Sequence, residues 1–203
     1  MTRFACPNCG NSIEPELRIV KMTNCDSCGT TLFLDDEVAR MAGDAGVMHE
    51  TPMLFGLNDT VQFPRSTVTI KGHARFSYGR GFWDEFWGLT SNGASIWVSV
   101  DEGDIVLQKA MAEKDWPRNV SRKIGSFITH RCIVFTITEV ESAHCVAVRG
   151  SFDEQLHVGD TYQFLNAQSE AGKVLSAEFW GSGESWFIGD WVDPFDAVVQ
   201  VNP

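Results

Sequence analysis

The sequence predicts a mainly β protein, in which a small N-terminal module precedes a body folded as a β-sandwich or a barrel. Short β-branched and aromatic runs, such as 67–70 and 133–137, recur from residue 57 onward between Gly, Asn, Asp and Pro residues. The body lacks helices long enough to connect parallel strands. With 203 residues and 43% hydrophobic residues, the chain can bury one sizeable core beside a small satellite module.

Two Cys-x-x-Cys-Gly motifs near the N-terminus predict the satellite module. Their cysteines are Cys6, Cys9, Cys25 and Cys28. Two such turns place four thiolates around one cation, and four protein ligands leave no position for a substrate, so the spacing predicts a structural metal site in a zinc ribbon. One zinc ion is the expected cofactor, with iron as the alternative because four sulfurs suit either metal. Cys132 and Cys145 are expected to be small buried residues of strands.

The chain divides into three segments on this pattern. They are a zinc ribbon at 1–34, a linker at 35–56 and a β body at 57–203. Apolar residues between Val38 and Ala45 recur at helical spacing, and Gly46 can end a helix, so the linker is expected to be partly helical.

An internal echo divides the body further. The tetrapeptide Glu-Phe-Trp-Gly at 85–88 recurs at 178–181, and weaker similarity follows downstream of both copies. An ancient duplication would explain the echo and predicts two similar β units, at about 57–108 and 132–200, packed with approximate twofold symmetry. Chance similarity between two aromatic hairpins is the alternative.

A carboxylate lies on an aromatic strand face in each echoed segment. Strand alternation places Trp83, Glu85 and Trp87 on one face, and it does the same for Glu178 and Trp180. A buried carboxylate must be protonated, pair with a basic side chain or bind a cationic ligand. Pairing with an internal arginine or histidine, or exposure at a strand end, is one interpretation. The other is a cleft for an ammonium or guanidinium group, and its candidate residues are Trp83, Asp84, Glu85, Trp87, Glu178 and Trp180.

Several segments of the body resemble a known family. The segments at 81–87, 97–103 and 176–180 are similar to the bacterial domain of unknown function numbered 4178, and the resemblance extends over most of residues 57–200. It implies a small bacterial protein without an assigned activity, sometimes preceded by a zinc ribbon, in gene neighbourhoods that include polyamine synthesis. Asp84 has an alanine, Ala177, at the corresponding place of the second unit, so a functional acid there would belong to the first unit alone.

Charge and motifs limit the possible functions. A net charge of −11 disfavours nucleic acid and anionic membranes as partners, and the chain has no apolar run of membrane-spanning length, so a cytoplasmic protein is expected. It carries no nucleophile elbow, phosphate loop or dinucleotide fingerprint. The sequence therefore favours a non-enzymatic binding or assembly module with a protein partner. The alternatives are a domain that binds or responds to a cation or polyamine through its Trp-Glu clusters, and a hydrolase or transferase with an acidic site.

Overall fold

The structure is a computed structural model that describes residues 3–35, 38–49, 51–181 and 183–200. Within these ranges the fold is mainly β, as predicted, and helix is confined to two 3-10 turns, Glu113–Asp115 and Pro194–Asp196. Neither turn has the length or the apolar character that a helix needs to cross a bilayer.

The N-terminal module consists of a two-stranded and a three-stranded antiparallel sheet. Its strands are β1 (Phe4–Ala5), β2 (Ser12–Ile13), β3 (Met22–Asn24), β4 (Thr31–Asp35) and β5 (Val38–Met41). The predicted linker helix is wrong at β5, which pairs with β4 along its whole length. Strand β4 is largely buried, and β5 pairs with the edge of β4 that β3 does not occupy. This pairing outweighs the helical spacing of a short segment that glycine interrupts. Residues 36, 37 and 50 of the predicted linker lie outside the described ranges.

The body contains two antiparallel meanders of five strands each. The first comprises β6 (Thr60–Phe63), β7 (Ser66–Ser77), β8 (Phe82–Thr90), β9 (Ser95–Asp101) and β10 (Asp104–Ala110). The second comprises β11 (Phe127–His130), β12 (Ile133–Gly150), β13 (Thr161–Gln168), β14 (Lys173–Trp180) and β15 (Gly183–Val192). A last strand, β16 (Val198–Gln200), pairs with β6.

Two pairings between the meanders close the sheet into a barrel. Strand β10 pairs with β15, and the second half of β12 pairs with β7, which gives a ring of eight strands in the order β7, β8, β9, β10, β15, β14, β13, β12. Strands β11, β6 and β16 extend the sheet outside this ring. An eight-stranded barrel encloses a volume that side chains fill or that holds one small ligand. Of the two predicted architectures, sandwich and barrel, the closed ring corresponds to the barrel.

The order of pairings relates the two meanders strand by strand, from β6 with β11 to β10 with β15. The sequence echo does not follow this relation. It aligns β8, the third strand of its meander, with β14, the fourth of the other. The echoed segments therefore occupy different structural positions, and the duplication remains a prediction. Because β8 and β14 are four strands apart in a ring of eight, they face each other across the barrel interior.

The N-terminal module docks on one end of the barrel and shares its core. Met22, Leu32 and Leu34 belong to the same buried cluster as Trp87 and Phe152. Phe152 lies in the loop between β12 and β13, and its backbone exchanges hydrogen bonds with that of Met22. The module and the barrel are therefore continuous in packing, although they differ in sheet.

The two remaining cysteines differ in their surroundings. Cys145 is buried in β12, as predicted. The prediction for Cys132 is wrong, because this residue is exposed in the turn between β11 and β12. Arg131 and Cys132 both have positive φ, 45° and 65°, which is the geometry of a two-residue hairpin turn.

Candidate metal centre and ligand cavity

The four predicted cysteines converge at one point of the N-terminal module. Their sulfurs all lie within 4.8 Å of one another, and the Cys6–Cys28 and Cys9–Cys25 sulfur pairs are each 3.7 Å apart. Four thiolates at about 2.3 Å from a central zinc ion would be separated by about 3.8 Å in a regular tetrahedron. The spacing therefore fits a tetrahedral metal ion with four sulfur ligands.

The two knuckles hold their cysteines by the same local structure. Gly10 donates a backbone hydrogen bond to Cys6 (2.8 Å), and Gly29 donates one to Cys25 (2.7 Å). Both glycines have positive φ, 76° and 70°, a conformation that other residues adopt at a cost. This explains why each Cys-x-x-Cys pair is followed by glycine.

Polar groups around the sulfurs favour the thiolate form at part of the site. Hydrogen bonds from the side chain and backbone of Thr30 lower the pKa of Cys28 to about 6. The backbone of Asn11 also lowers the pKa of Cys9, but contact with Cys28 and burial outweigh it and raise that pKa to about 11. A bound cation would favour the deprotonated form at all four positions. Its contribution would be structural, since the four sulfurs complete its coordination.

A second site lies inside the barrel, where a cavity of about 220 Å³ opens among the inward-facing side chains. Alternate residues of β8, β9, β10, β13 and β14 form its walls, as strand geometry requires. Its lining includes six acidic residues, and among the described residues that line it none is Lys, Arg or His. The acids are Glu85, Asp101, Glu102, Asp104, Glu139 and Glu178.

Glu85 is the most buried of these six acids, and one of its two carboxyl oxygens has no hydrogen-bond partner. Its side chain is 8% exposed, and its Oε1 atom accepts a hydrogen bond from Trp83 Nε1 at 3.1 Å. Its Oε2 atom is buried without a hydrogen-bond partner. Burial, followed by the charge of Glu178, raises the pKa of Glu85 to about 8. Near neutral pH this carboxyl is therefore held as the neutral acid unless a cation or a donor reaches it.

Two further groups point to the same need for a donor or a cation. Gln108 is 8% exposed, lines the cavity from β10, and has a buried Oε1 atom without a hydrogen-bond partner. Glu178 lines the cavity from β14, on the side opposite Glu85, and burial raises its pKa to about 7. The cavity thus presents acceptors from three strands.

Aromatic rings form part of the wall beside Glu85. Trp83 stacks on Phe76 and Tyr78, with ring centroids 5.1 and 5.9 Å away, and it meets Phe164 at 5.1 Å. These contacts fix the indole that donates to Glu85. The Nε1 edge of the indole therefore meets Glu85, and the rings around it add apolar surface beside this carboxyl.

The remaining predicted site residues lie elsewhere. Asp84 faces away from the cavity and pairs with His73 (2.6 Å) and Arg75 (2.8 Å) on the outer side of the barrel. Trp87 is buried in the core shared with the N-terminal module and donates to Ser95. Trp180 is 40% exposed and contacts Tyr162. Of the six predicted residues, the cavity therefore includes Trp83, Glu85 and Glu178.

Sequence reasoning missed several residues of the cavity. Gln108 and Asp104 share the inward face of β10 with Val106, so polar residues alternating within a buried strand were the available signal. Asp101 and Glu139 come from β9 and β12, and no local pattern relates these two strands. Their meeting depends on how the ring closes.

These features define a class: a closed antiparallel barrel with an acidic cavity and a four-cysteine module docked at one end. The match to a family model covers residues 56–194, and its description is "Domain of unknown function (DUF4178)". The chain belongs to this family. No match was found among curated proteins or among solved structures.

Proposed function

We propose that this protein is a non-enzymatic cytoplasmic binding module whose barrel takes up a cationic small molecule. The observation that supports this most directly is the cavity lining, which combines six acids with an absence of basic side chains among the described residues. An enclosed group of carboxylates is unfavourable unless protons or a ligand neutralise it. A protonated amine would donate a hydrogen bond to Glu85 Oε2, which has no partner. Its positive charge would offset the mutual repulsion of Glu85 and Glu178.

An organic cation fits this cavity better than a bare metal ion. In the described part of the chain, the cysteines form the group in which three or more potential ligand atoms lie within 4.8 Å of one another, and the cavity acids form no such group. Carboxylates spread over opposite walls suit a ligand that spans the space between them. The aromatic wall at Trp83 adds a surface for the apolar part of an alkylammonium ion.

The four-cysteine site is proposed to hold zinc in a structural role. A four-thiolate tetrahedron suits zinc or iron, and zinc is the assignment proposed because closed four-cysteine sites of this spacing are the usual structural zinc sites. The metal would stabilise the N-terminal module, which is too small to be held by its own core.

The experiment that tests cation binding is a thermal unfolding measurement with spermidine as the probe at pH 7.5. A saturating probe, at about 100 times its dissociation constant, should stabilise the wild-type protein by about 2.7 kcal/mol and raise its unfolding midpoint by about 5–10 °C. Glu85→Gln should abolish most of that shift, because it removes the unpaired carboxylate. A neutral triol of similar length serves as the ligand control.

Asp84→Asn is the matched control for Glu85→Gln, since the two acids are neighbours on opposite faces of β8. Loss of the pairs with His73 and Arg75 should lower the midpoint of the free protein. The shift caused by spermidine should remain. Equal shifts in wild type and Glu85→Gln, or no shift with any alkylammonium probe, would contradict the proposal.

A second candidate function, assembly with a protein partner, is favoured by an exposed apolar surface on the hairpin of β11 and β12. Phe127 is 71% exposed and Val134 is 52% exposed. Their register places both on one face of the hairpin, at the edge of the sheet. Open edges of this kind can accept a further strand.

The assembly function predicts that Phe127→Lys abolishes co-purification of a specific partner while the unfolding midpoint changes by only about 1–2 °C. Quantitative pull-down with the wild type and the variant measures it, and Gln62→Lys, at an exposed position of β6 in the other meander, is the control. Recovery of the same partner at the same level with Phe127→Lys would exclude this surface.

A further inference from the structure

The hairpin of β11 and β12 leaves one edge of the large sheet open. Within the described part of the chain, β11 is the last strand of this sheet and pairs with β12 alone. In a hairpin with a two-residue turn, the closing pair, here His130 and Ile133, exchanges both backbone hydrogen bonds, and this bonding alternates along the strand. The backbone N–H and C=O groups of Phe127 and Thr129 therefore point away from β12, toward the open side.

Exposed apolar side chains lie along this edge. Phe127 is 71% exposed, Ile124 is 68% exposed and Val134 is 52% exposed. Phe127 and Thr129 share one face of β11, and Thr129 lies directly opposite Val134 in the register. A strand added to β11 would place alternate side chains beside these residues, so apolar side chains on that face would cover them.

Basic residues lie at both ends of the same edge. Arg122 and Lys123 precede β11, Arg131 follows it, and all three are exposed. The segment 109–131 has six Lys and Arg residues against two acids, a net charge of +4, so the rest of the chain carries −15 of the total of −11. Arg131 is 3.4 Å from Asp115, but no described carboxylate lies within ion-pairing distance of Arg122 or Lys123. The open edge is therefore a positively charged area on a strongly negative protein.

Two sets of contacts hold the basic turn that precedes β11. The Arg122 guanidinium lies over the ring of Phe179, with its Cζ atom 3.4 Å from the ring centroid. Ser126 donates a backbone hydrogen bond to Lys123 (3.0 Å), and Ile137 donates one to Ser126 (2.9 Å). The turn is therefore fixed against the sheet, and its positive charges are held near the start of β11.

This combination of open backbone groups, apolar side chains and positive charge selects one class of partner. An extended peptide can pair with the open edge, whereas a nucleic acid has no backbone amides with which to extend a sheet. A long polyanion would also meet the −15 charge of the remaining chain. A second copy of the same hairpin would bring two basic edges together, which is unfavourable.

We propose that the open edge of β11 binds a short acidic segment of a partner protein, which adds to the sheet as a further strand. This inference rests on the assembly function proposed above for the hairpin and names the chemistry of the partner. Residues 125–130 span about 20 Å at about 3.3 Å per residue, so the segment carries acidic residues near both ends of a stretch of that length. Its apolar side chains cover Phe127 and Val134.

The test measures the binding of three fluorescent nine-residue peptides to the whole chain by fluorescence anisotropy. The acidic peptide has two glutamates at each end of a centre in which valine alternates with threonine, and lysines or threonines replace the glutamates in the other two. In about 20 mM salt, the acidic peptide should bind at least about tenfold more tightly than the threonine peptide, and the lysine peptide should bind most weakly. The advantage of the acidic peptide should shrink in about 300 mM salt.

A matched pair of variants tests the position of the surface. Lys123→Glu should weaken binding of the acidic peptide about fivefold or more. Lys109→Glu makes the same change in net charge and should weaken binding less than about twofold, because Lys109 lies on β10, five strands from β11 whichever way the ring is followed. Hydrogen exchange tests strand addition directly, since the amides of Phe127 and Thr129 should exchange at least about tenfold more slowly with saturating acidic peptide.

Three results would contradict the acidic partner. They are equal affinities for the acidic and threonine peptides, equal effects of Lys123→Glu and Lys109→Glu, and unchanged exchange at Phe127 and Thr129. A labelled oligothymidine that binds more tightly than the acidic peptide and competes with it would show that the surface binds nucleic acid instead.

The outcomes also separate this inference from the assembly function. If Phe127→Lys loses its partner in the pull-down but the acidic and threonine peptides bind equally, assembly through the hairpin stands and the acidic character of the partner is wrong. If Phe127→Lys keeps the partner and no peptide binds, both are wrong.

Discussion

Cys25→Ser is expected to abolish tight metal binding and to lower the unfolding midpoint by about 10 °C or more. Structural zinc in small modules contributes about 10–16 kcal/mol of apparent binding free energy at neutral pH, and a small module without it does not fold. The loss should extend into the barrel, because Met22 and Leu32 share a buried cluster with Trp87 and would leave it exposed. Elemental analysis by mass spectrometry and tryptophan fluorescence during heating measure both effects.

Cys132→Ser is the matched control, since Cys132 is exposed in a hairpin turn and far in sequence from the knuckles. It should keep one metal ion per chain and the wild-type midpoint. Retention of the metal and the midpoint by Cys25→Ser would show that the four sulfurs do not form the centre. Elemental analysis also identifies the metal. Colour gives an independent check, because a zinc site is colourless and an iron site with four thiolates is coloured.

The second large effect concerns pH. Glu85 has a pKa of about 8 in the folded protein, because burial and then the charge of Glu178 disfavour its ionised form, against 4.5 for an ordinary glutamate. The folded state therefore binds more protons than the unfolded state between these two values. Stability without ligand should fall as pH rises from about 4.5 to about 8 and should then level off.

Glu85→Gln should remove the part of this pH dependence that Glu85 contributes and leave the part that Glu178 contributes, since burial also raises the pKa of Glu178, to about 7. We expect the variant to be more stable than wild type at pH 8, by on the order of 3 kcal/mol, and similar to wild type near pH 4.5. Denaturant unfolding across pH 5 to 9, without any amine in the buffer, measures the difference. A wild-type protein that is equally stable at pH 5 and pH 8 would contradict the assignment.

Asp84→Asn provides a contrast of opposite sign. Burial alone would raise the pKa of Asp84, but hydrogen bonds and charge from His73 and Arg75 outweigh it and lower that pKa. Its contribution to stability is present above the pKa of an unfolded aspartate and is lost as pH falls through the lowered value. The difference between wild type and Asp84→Asn should therefore shrink in acid, whereas that for Glu85→Gln grows in base.

A carboxylate whose removal stabilises the free protein is a common feature of binding sites. Natural proteins keep such groups where ligand binding offsets their unfavourable burial. Glu85→Gln should then have two measurable effects, namely higher stability of the free protein and loss of cation binding. Substitution of a residue with a purely structural role would lower the stability of the protein instead.

The features that sequence predicted are those determined locally. Each Cys-x-x-Cys-Gly knuckle is a turn of five residues, so its geometry follows from spacing alone. Alternation along β8 correctly placed Trp83 and Glu85 on one face, with Asp84 on the other. Alternation does not show which face is inside, and the structure places Asp84 on the outer face, where it pairs with His73 and Arg75.

The features that sequence did not predict depend on contacts between distant segments. Glu85 and Glu178 share the cavity because β7 pairs with β12 and β10 with β15, and neither pairing leaves a local signal. Similarly, Val38 and Met41 have helical spacing but lie in a strand, since the edge of β4 is available to them. Tertiary pairing outweighs local periodicity in such short segments.

The docking of the N-terminal module also affects the order of folding during synthesis. Its anchors join residues far apart in the chain, since Asn24 and Gly150 are 126 positions apart. A ribosome releases the knuckles first, so they can bind metal early, but the surface that covers Met22 is made only after most of the barrel strands. A chain that stops before the loop would hold its metal and still expose an apolar face. The N-terminal module is therefore synthesised first but buries its apolar face only late, after the loop that follows β12 has been made.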